Sequence, residues 1–531
     1  MPTRGNPDYE SKVPTYVFPP TLLEQEAALR SNPMVARFRK SRRVLGADRY
    51  RPAYHYVNPE NHLNDPNGLC FWNGRWHLFY QGYPPEDPRV HWGHAVSDDL
   101  IHWQDLPYAI YPNPEHHCFS GATLVEDDRV IAMYHGTMAG NMVAVSSDPL
   151  LLNWEKLGDG PVIPLAGEGE ILPYNVFDPC IWKRDGYYYA LSAGTLPHRP
   201  SGRRTRADFL FRSHDLTRWE YLHPFVEEDL FGYAGDDGAC PYFWPIGGST
   251  VRRHLLLHFS HMSGGKYILG DYDEIRDKLV ARDGGRFNFG AYGPGGVHAP
   301  SATTDGSGGV IVIFNMNEGR SHEGWGGIMT LPRRLTLLDG DQLGVEPAGE
   351  IASVRTGHRA VGPTVLPPNE EIVLPGVEGD AIEIDAEIEV GEAPMVELNV
   401  LRAPGKEEYT RIAFYKQRGF RHWERYGGWE PEKLRAASDS LITIDTSYSS
   451  TGPDVRSRAP ETAPVYVAPQ EPLRLRVFVD RSVVEVFVNG RQCAAVRVYP
   501  ARPDSVGVSL RAQGQEVVVS RLDVWKMAPI F

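Results

Sequence analysis

"SDDLIHWQDL" at residues 97–106 returns in altered form as "SSDPLLLNWEKL" at 146–157 and "RSHDLTRWEYL" at 212–222. Each copy places a Ser and an Asp ahead of a Leu, a Trp and a closing Leu. Strand-like runs such as "NMVAVSS" and "ADFLFRS" precede the copies, and another apolar stretch follows each one. Short strands recurring with a period of about 40–60 residues predict the blades of a β-propeller. A large sandwich of similar strands is the competing architecture. The repeats run from about residue 51 to 350, which leaves room for five blades, with Trp103, Trp154 and Trp219 as blade core.

Composition agrees with an all-β chain of short strands and tight turns. The 531 residues include 26 Tyr, 20 Phe and 12 Trp beside 53 Gly and 44 Pro. Length alone implies more than one domain. The texture changes near residue 356, where "VRTGHRAVGPTVLPPNEE" reads as a link over 356–375. Beyond it, "GDAIEIDAEIEV", "LRLRVFVDRSVVEVFVNGRQCAAVRVY" and "QEVVVSRLDVWKM" alternate polar and apolar residues, the pattern of half-buried antiparallel strands. The expected architecture is thus all-β. A partly helical extension (1–50) precedes a five-bladed propeller (51–355), and the link leads to a C-terminal β-sandwich (376–531).

Charge and cysteine content exclude several functions. The net charge is −14, and the only basic run, "RFRKSRR" at 37–43, follows a predicted helix and reads as its solvated end, so nucleic acid is not an expected partner. No apolar run is long enough for a membrane span, and "MPTRGNPDYESK" has no apolar signal core. The five cysteines form no CxxC pair and read as small buried hydrophobes, and His116-His117 has no third ligand at metal spacing. No metal or cofactor is expected.

"NHLNDPNG" at 61–68 is dense in turn formers, yet it leads into a hairpin, "LCFW" and "RWHLFYQ" joined by Asn73-Gly74. A capping Asp would suffice for such a turn. Two further acids make Asp65 different: Asp178 in "YNVFDPCIW" and the pair Asp236-Asp237 in "GDDGACPYFWP". All stand ahead of apolar strands, about two blade periods and one apart. In a propeller such residues converge on the central axis.

"HLNDPNG", "LFYQGYP", "WGHAVSDDLIHW", "FSGATL", "FDPC", "MTLPRRLTL" and "FVDRSVVEVFVNG" together resemble glycoside hydrolase family 32, in order from about residue 53 to 528. The resemblance implies a five-bladed propeller with a C-terminal sandwich and a retaining mechanism on β-fructofuranosides, without metal or cofactor. It implies that Asp65 is the nucleophile and that Asp178 stabilises the cationic transition state. Asn64 and Trp92 would hold the sugar, and Gln81, Phe119 and Ser120 match sugar-contacting positions. Trp72, Trp92, Tyr242, Phe243 and Trp325 are candidates for stacking on sugar, whereas His258 and His261 read as hydrogen-bonded residues of an inner-blade strand.

Two positions depart from the family pattern. Phe177 stands where the family usually has Arg before the second aspartate. Ala239 of "ACP" stands where the family has the Glu that serves as acid/base. In an extended strand residues two apart face the same way, which nominates Asp237 as the acid, with Asp236 as the alternate. A third expectation is that Ala239 replaces a natural Glu and disables the enzyme. Three functions follow: hydrolysis of levan, inulin or sucrose; intramolecular transfer releasing a cyclic difructose dianhydride; and fructan binding without cleavage.

Overall fold

The computed structural model describes residues 10–197, 201–250 and 252–531. The recurring Ser…Asp…Leu segment is a turn in which the aspartate caps backbone amides. Asp99 Oδ1 accepts from Ile101 N and His102 N, Asp148 Oδ1 from Leu150 N and Leu152 N, and Asp215 Oδ1 from Thr217 N and Arg218 N. Leu100, Leu151 and Leu216 each take a positive φ (69°, 51° and 69°) at the same point of the turn. Two amides capped by one aspartate oxygen and one left-handed residue make the chain reverse there and enter an outer strand.

Around these turns the chain forms five mainly antiparallel sheets of four or five strands. Their innermost strands are Asn61–Trp72, Cys118–Val125, Pro179–Arg184, Ala239–Gly247 and Val297–Thr304. Each inner strand neighbours the next and the fifth neighbours the first, closing the ring. These are the five blades the repeats predict. Trp325–Gly326, late in the chain, lies parallel beside the first inner strand. Trp103 is buried blade core, while Trp154 and Trp219 are partly buried and donate to Leu151 O and Leu216 O. The Asn73-Gly74 hairpin has φ of 48° and 80°, the two positive values that match the twist of its strands.

Two six- and seven-stranded sheets follow. Alternation sets their core: Ile382, Ile384, Ala386 and Ile388 of one strand meet Leu475, Val477 and Val479 of its partner. Residues 356–375 are not a free link. Arg355–Val361 and Thr364–Leu366 pair with Val517–Met527, and Glu371–Glu378 pairs with Gly507–Gln513, so the Gly/Pro-rich stretch is woven into both sheets.

Two helices, Leu22–Ser31 and Pro33–Leu45, precede the propeller. The Asn32 side chain caps the second by accepting from Met34 N and Val35 N. Phe18, Leu29 and Val35 pack on Val96, Leu106, Leu150 and Leu152 of the first two blades. The basic run lies within the second helix and is not a solvated end. Arg37 pairs with Glu60 (2.6 Å) and Glu86 (2.8 Å), and Arg42 with Asp105 (2.5 Å). None of the described helices is long and apolar enough to cross a membrane.

The motif "FVDRSVVEVFVNG" joins sandwich to propeller. Asp480 accepts from the backbone N–H groups of Ala53, Tyr54 and His55, and Glu485 accepts from Leu331 N. His55 lies between the two carboxylates (2.9 and 3.1 Å), and Arg333 of "MTLPRRLTL" pairs with Glu485 at 2.8 Å, all with fully buried side chains.

Candidate active site

Four of the five inner strands carry the same irregularity at the end where the site forms. In the first, Asn64 and Asp65 together oppose Gln81 between the pairs Leu63↔Gly82 and Pro66↔Tyr80. In the second, Phe119 and Ser120 oppose His135; in the fourth, Cys240 and Pro241 oppose His258; in the fifth, His298 and Ala299 oppose Asn315. A two-against-one bulge turns consecutive side chains away from strict alternation and re-aims them. "NDPNG" is accordingly the bulged start of an inner strand and not the turn its composition suggests.

The bulges bring polar groups onto Asp65. Its Oδ2 accepts from Ser120 Oγ at 2.6 Å and Gln81 Nε2 at 3.1 Å, with Cys240 Sγ at 3.6 Å. Gln81 Nε2 also donates to Ser120 Oγ (2.8 Å), and Asn315 Nδ2 donates to Asn64 Oδ1 (2.8 Å) and lies 3.5 Å from Asp65 Oδ1. Oδ2 is therefore firmly held, while Oδ1 has only a long contact.

Asp178, just ahead of the third inner strand, is buried. Its Oδ2 accepts from Cys240 N at 3.1 Å, and Cys240 Sγ is 3.4 Å away. One thiol thus stands between two carboxylates. Cys240 reaches this place with φ of 51°, the left-handed region that a non-glycine residue seldom adopts. Burial and both carboxylates push its pKa far up, so it remains a thiol and a donor. Burial raises the pKa of Asp65, against the opposing Ser120 hydrogen bond. Burial, and then the Asp65 charge, raises that of Asp178 to about 7.

Phe119 and Phe177 are half-buried. Phe119 stacks on His117 (5.4 Å), and Phe177 lies between His135 and His261, with ring centroids 5.2 and 6.3 Å away. The expected aromatic platforms are elsewhere. Trp92 is fully buried between Phe79 and Tyr134 and donates to Phe119 O, so it supports the bulge and has no face open to sugar. The Tyr242 hydroxyl accepts from Gly68 N and donates to Gly121 O, pinning blades together from within the core. Trp325 is 3% exposed and donates to Asp48, and Trp72 and Phe243 are buried as well. Large rings within the blades pack into the core, because only burial repays their apolar area.

The acid pair divides sharply. Asp236 is fully buried, paired with Lys266, and bonded to Tyr233 N and Ser263 Oγ. Its oxygens are committed to that network. Asp237 is partly exposed and meets His261 Nδ1 at 2.6 Å. The extended strand assumed between 237 and 239 does not exist: the strand begins at Ala239, and Gly238 has φ of 67°. Ala239 is buried against Phe259 and Ala299. His258 is buried, whereas His261 stands exposed in the following hairpin turn.

Sequence reasoning missed three residues of this site. Cys240 is buried, as expected of a small hydrophobe, but its thiol is part of the polar network. Asn315 lies in "VIVIFNM" without a turn or acid to mark it, and His261 depends on a fold-dependent partner. Among the described residues, no cluster of three or more His, Cys, Asp or Glu could hold a metal ion.

Comparison with known proteins bears on the family and the fold. The profile described as "Glycosyl hydrolases family 32 N-terminal domain" matches residues 55–347, and "Glycosyl hydrolases family 32 C terminal" matches 350–526. Similar proteins include a levanase of Bacillus subtilis (strain 168), 27% identical, the match covering 91% of this chain and 71% of the relative. A fructan 6-exohydrolase of Triticum aestivum is 29% identical, with 90% of each chain covered. The crystal structure of fructan 1-exohydrolase IIa from Cichorium intybus superposes with a TM-score of 0.76 at 23% identity, covering 91% of this chain and 98% of that one. A variant of the same protein in complex with 1-kestose gives 0.77 at 22% identity, with the same coverage.

Proposed function

The chain belongs to glycoside hydrolase family 32, and from that footing we propose that it is a retaining glycosidase acting on β-fructofuranosides of the levan, inulin or sucrose type. The observation that carries the proposal is the unequal treatment of the two Asp65 oxygens. Ser120 and Gln81 fix Oδ2, leaving Oδ1 as the one positioned to attack. Oδ1 attacks C2 of fructose, the C2–O bond breaks towards the leaving sugar, and a fructosyl ester forms on Asp65. Asp178 faces the developing oxocarbenium. In the ionised form its charge opposes the cation, and hydrogen bonds from Cys240 hold it in place. The turn that carries Asp237 leads into the fourth inner strand, and in this reading the leaving oxygen receives its proton on that side. Water then attacks the ester and releases fructose. Asn64, Gln81, Phe119, Ser120 and Phe177 shape the sugar pocket, with Phe177 replacing a charged contact by an aromatic one.

Incubation with levan, inulin and sucrose separately, with products resolved by chromatography, tests this. Free fructose is expected from at least one of them. A non-reducing disaccharide would mean that the next fructose, not water, takes the fructosyl group. Binding without turnover of any of the three would mean that the site is disabled at Ala239.

A further inference from the structure

Ala239 raises a chemical difficulty that the surrounding residues resolve. Its methyl group is enclosed by Phe259 and Ala299, with Phe177 and Tyr292 packed against the same cluster. No proton can come from this place. Ala239 and Phe259 are the last pair of their hairpin ladder, and two residues farther along each arm stand Asp237 and His261. These two are joined twice. Asp237 Oδ2 meets His261 Nδ1 at 2.6 Å, and Oδ1 accepts the His261 backbone N–H at 3.3 Å.

We propose that His261 is the group that protonates the leaving oxygen and later deprotonates the incoming water, with Asp237 as its positioning residue. The inference rests on the glycosidase function proposed above. It departs from a direct role for Asp237, because both of that carboxylate's oxygens already accept N–H bonds from His261. While the imidazole carries the proton, the aspartate has none to give. With Nδ1 tied to Asp237, Nε2 is the free nitrogen of a ring whose side chain is about half exposed.

The electrostatic surroundings suit a protonated ring. Asp237 on the facing arm, Asp178 from the third blade and Asp65 from the first all favour the imidazolium, with the Asp237 hydrogen bond the largest influence and burial opposing it. His298 of the fifth blade is held neutral, chiefly by burial, and Tyr292 stacks on it. Phe259 and Phe177, with centroids 4.9 and 6.3 Å from His261, present no competing acceptor. Proton bookkeeping closes over the cycle. In the first step the C2–O electron pair goes to the leaving oxygen, which takes the Nε2 proton as Asp65 forms the ester. In the second step neutral Nε2 takes a proton from water as the oxygen of that water attacks C2 and Asp65 departs.

The test compares sucrose with p-nitrophenyl β-fructofuranoside, whose leaving group needs little protonation, across His261→Gln, Asp237→Asn and Asp65→Asn. His261→Gln is expected to lose about 10²- to 10⁴-fold in kcat on sucrose and less than about tenfold on the aryl fructoside. It should also lose the basic limb of the kcat/KM profile. Asp237→Asn should keep that limb but move it to lower pH, because the imidazolium loses its main support. An equal loss on both substrates, or no loss, for His261→Gln would overturn the assignment. A larger selective defect in Asp237→Asn than in His261→Gln would also overturn it, making Asp237 the donor. A wild-type protein inactive on both substrates, or an Asp65→Asn variant still active on the aryl fructoside, would instead bring down the glycosidase proposal and this inference with it.

Discussion

Asp178 shows how much a single residue can cost and supply. Burial and the neighbouring Asp65 charge raise its pKa to about 7, above the ordinary 3.9 or so of an unfolded chain. The folded state then holds the proton more tightly than the unfolded state, so folding is penalised as pH rises from about 4 through about 7. Asp178→Asn should therefore be more stable than the parent at pH 8, with the advantage vanishing below about pH 4, as thermal melts at several pH values would show. Its turnover should fall by orders of magnitude, because the amide keeps a hydrogen-bond acceptor but loses the charge facing the cation. Asp65 and Asp178 could be found from sequence because an Asp-Pro ahead of an apolar strand is a local mark. Cys240 and Asn315 carry no such mark. Trp92, Tyr242 and Trp325 misled for a related reason: ring composition says that an aromatic will be packed, but not whether sugar or blade does the packing.

The inner-strand bulge is the element on which the site depends. At the fourth blade Cys240 adopts φ of 51° so that its N–H reaches Asp178. A β-branched residue there should be strained, and Cys240→Val is expected to fall below Cys240→Gly by about 1–3 kcal/mol in denaturant unfolding. Equal stability would remove backbone strain from the account. The blades themselves were readable, since the Asp-capped turn is a short-range motif that repeats. The bulges were not, because a two-against-one register depends on which residue lies across the ladder. Even parity from Asp237 to Ala239 failed because the strand begins only at Ala239 and Gly238 takes a φ of 67°. Residues 356–375 misled because Gly and Pro mark turns and irregular edges as readily as linkers.

Across the whole molecule, the His55–Asp480–Glu485–Arg333 cluster ties sandwich to propeller. Burial opposes charge on His55, yet the hydrogen bonds to Asp480 and Glu485 prevail and raise its pKa to about 9. Folding therefore gains from the protonated ring fully below about pH 6.5 and loses that gain as pH climbs through about 9. Burial likewise opposes charge on Glu485, but Arg333 and His55 lower its pKa to about 2, so its contribution is present above about pH 4.5 and fades towards pH 2. Glu485→Gln should cost about 3–5 kcal/mol, since it leaves Arg333 buried without its counter-charge. His55→Gln should flatten the decline between pH 7 and 9 in denaturant midpoints. The motif's alternation was legible as a strand, whereas its role as a clamp required knowing that residues 53–55 and 331–333 meet it. On the function proposed above, that clamp and the four bulges serve one end, holding Asp65 where it would form a bond to fructose. The most direct measurement is the intact mass of the full chain, quenched in acid during turnover of p-nitrophenyl β-fructofuranoside, followed by peptide mapping. One added fructosyl group on the peptide containing Asp65, absent in Asp65→Asn, is the predicted result. Turnover with no adduct and with inverted fructose as the first product would contradict a covalent intermediate on Asp65.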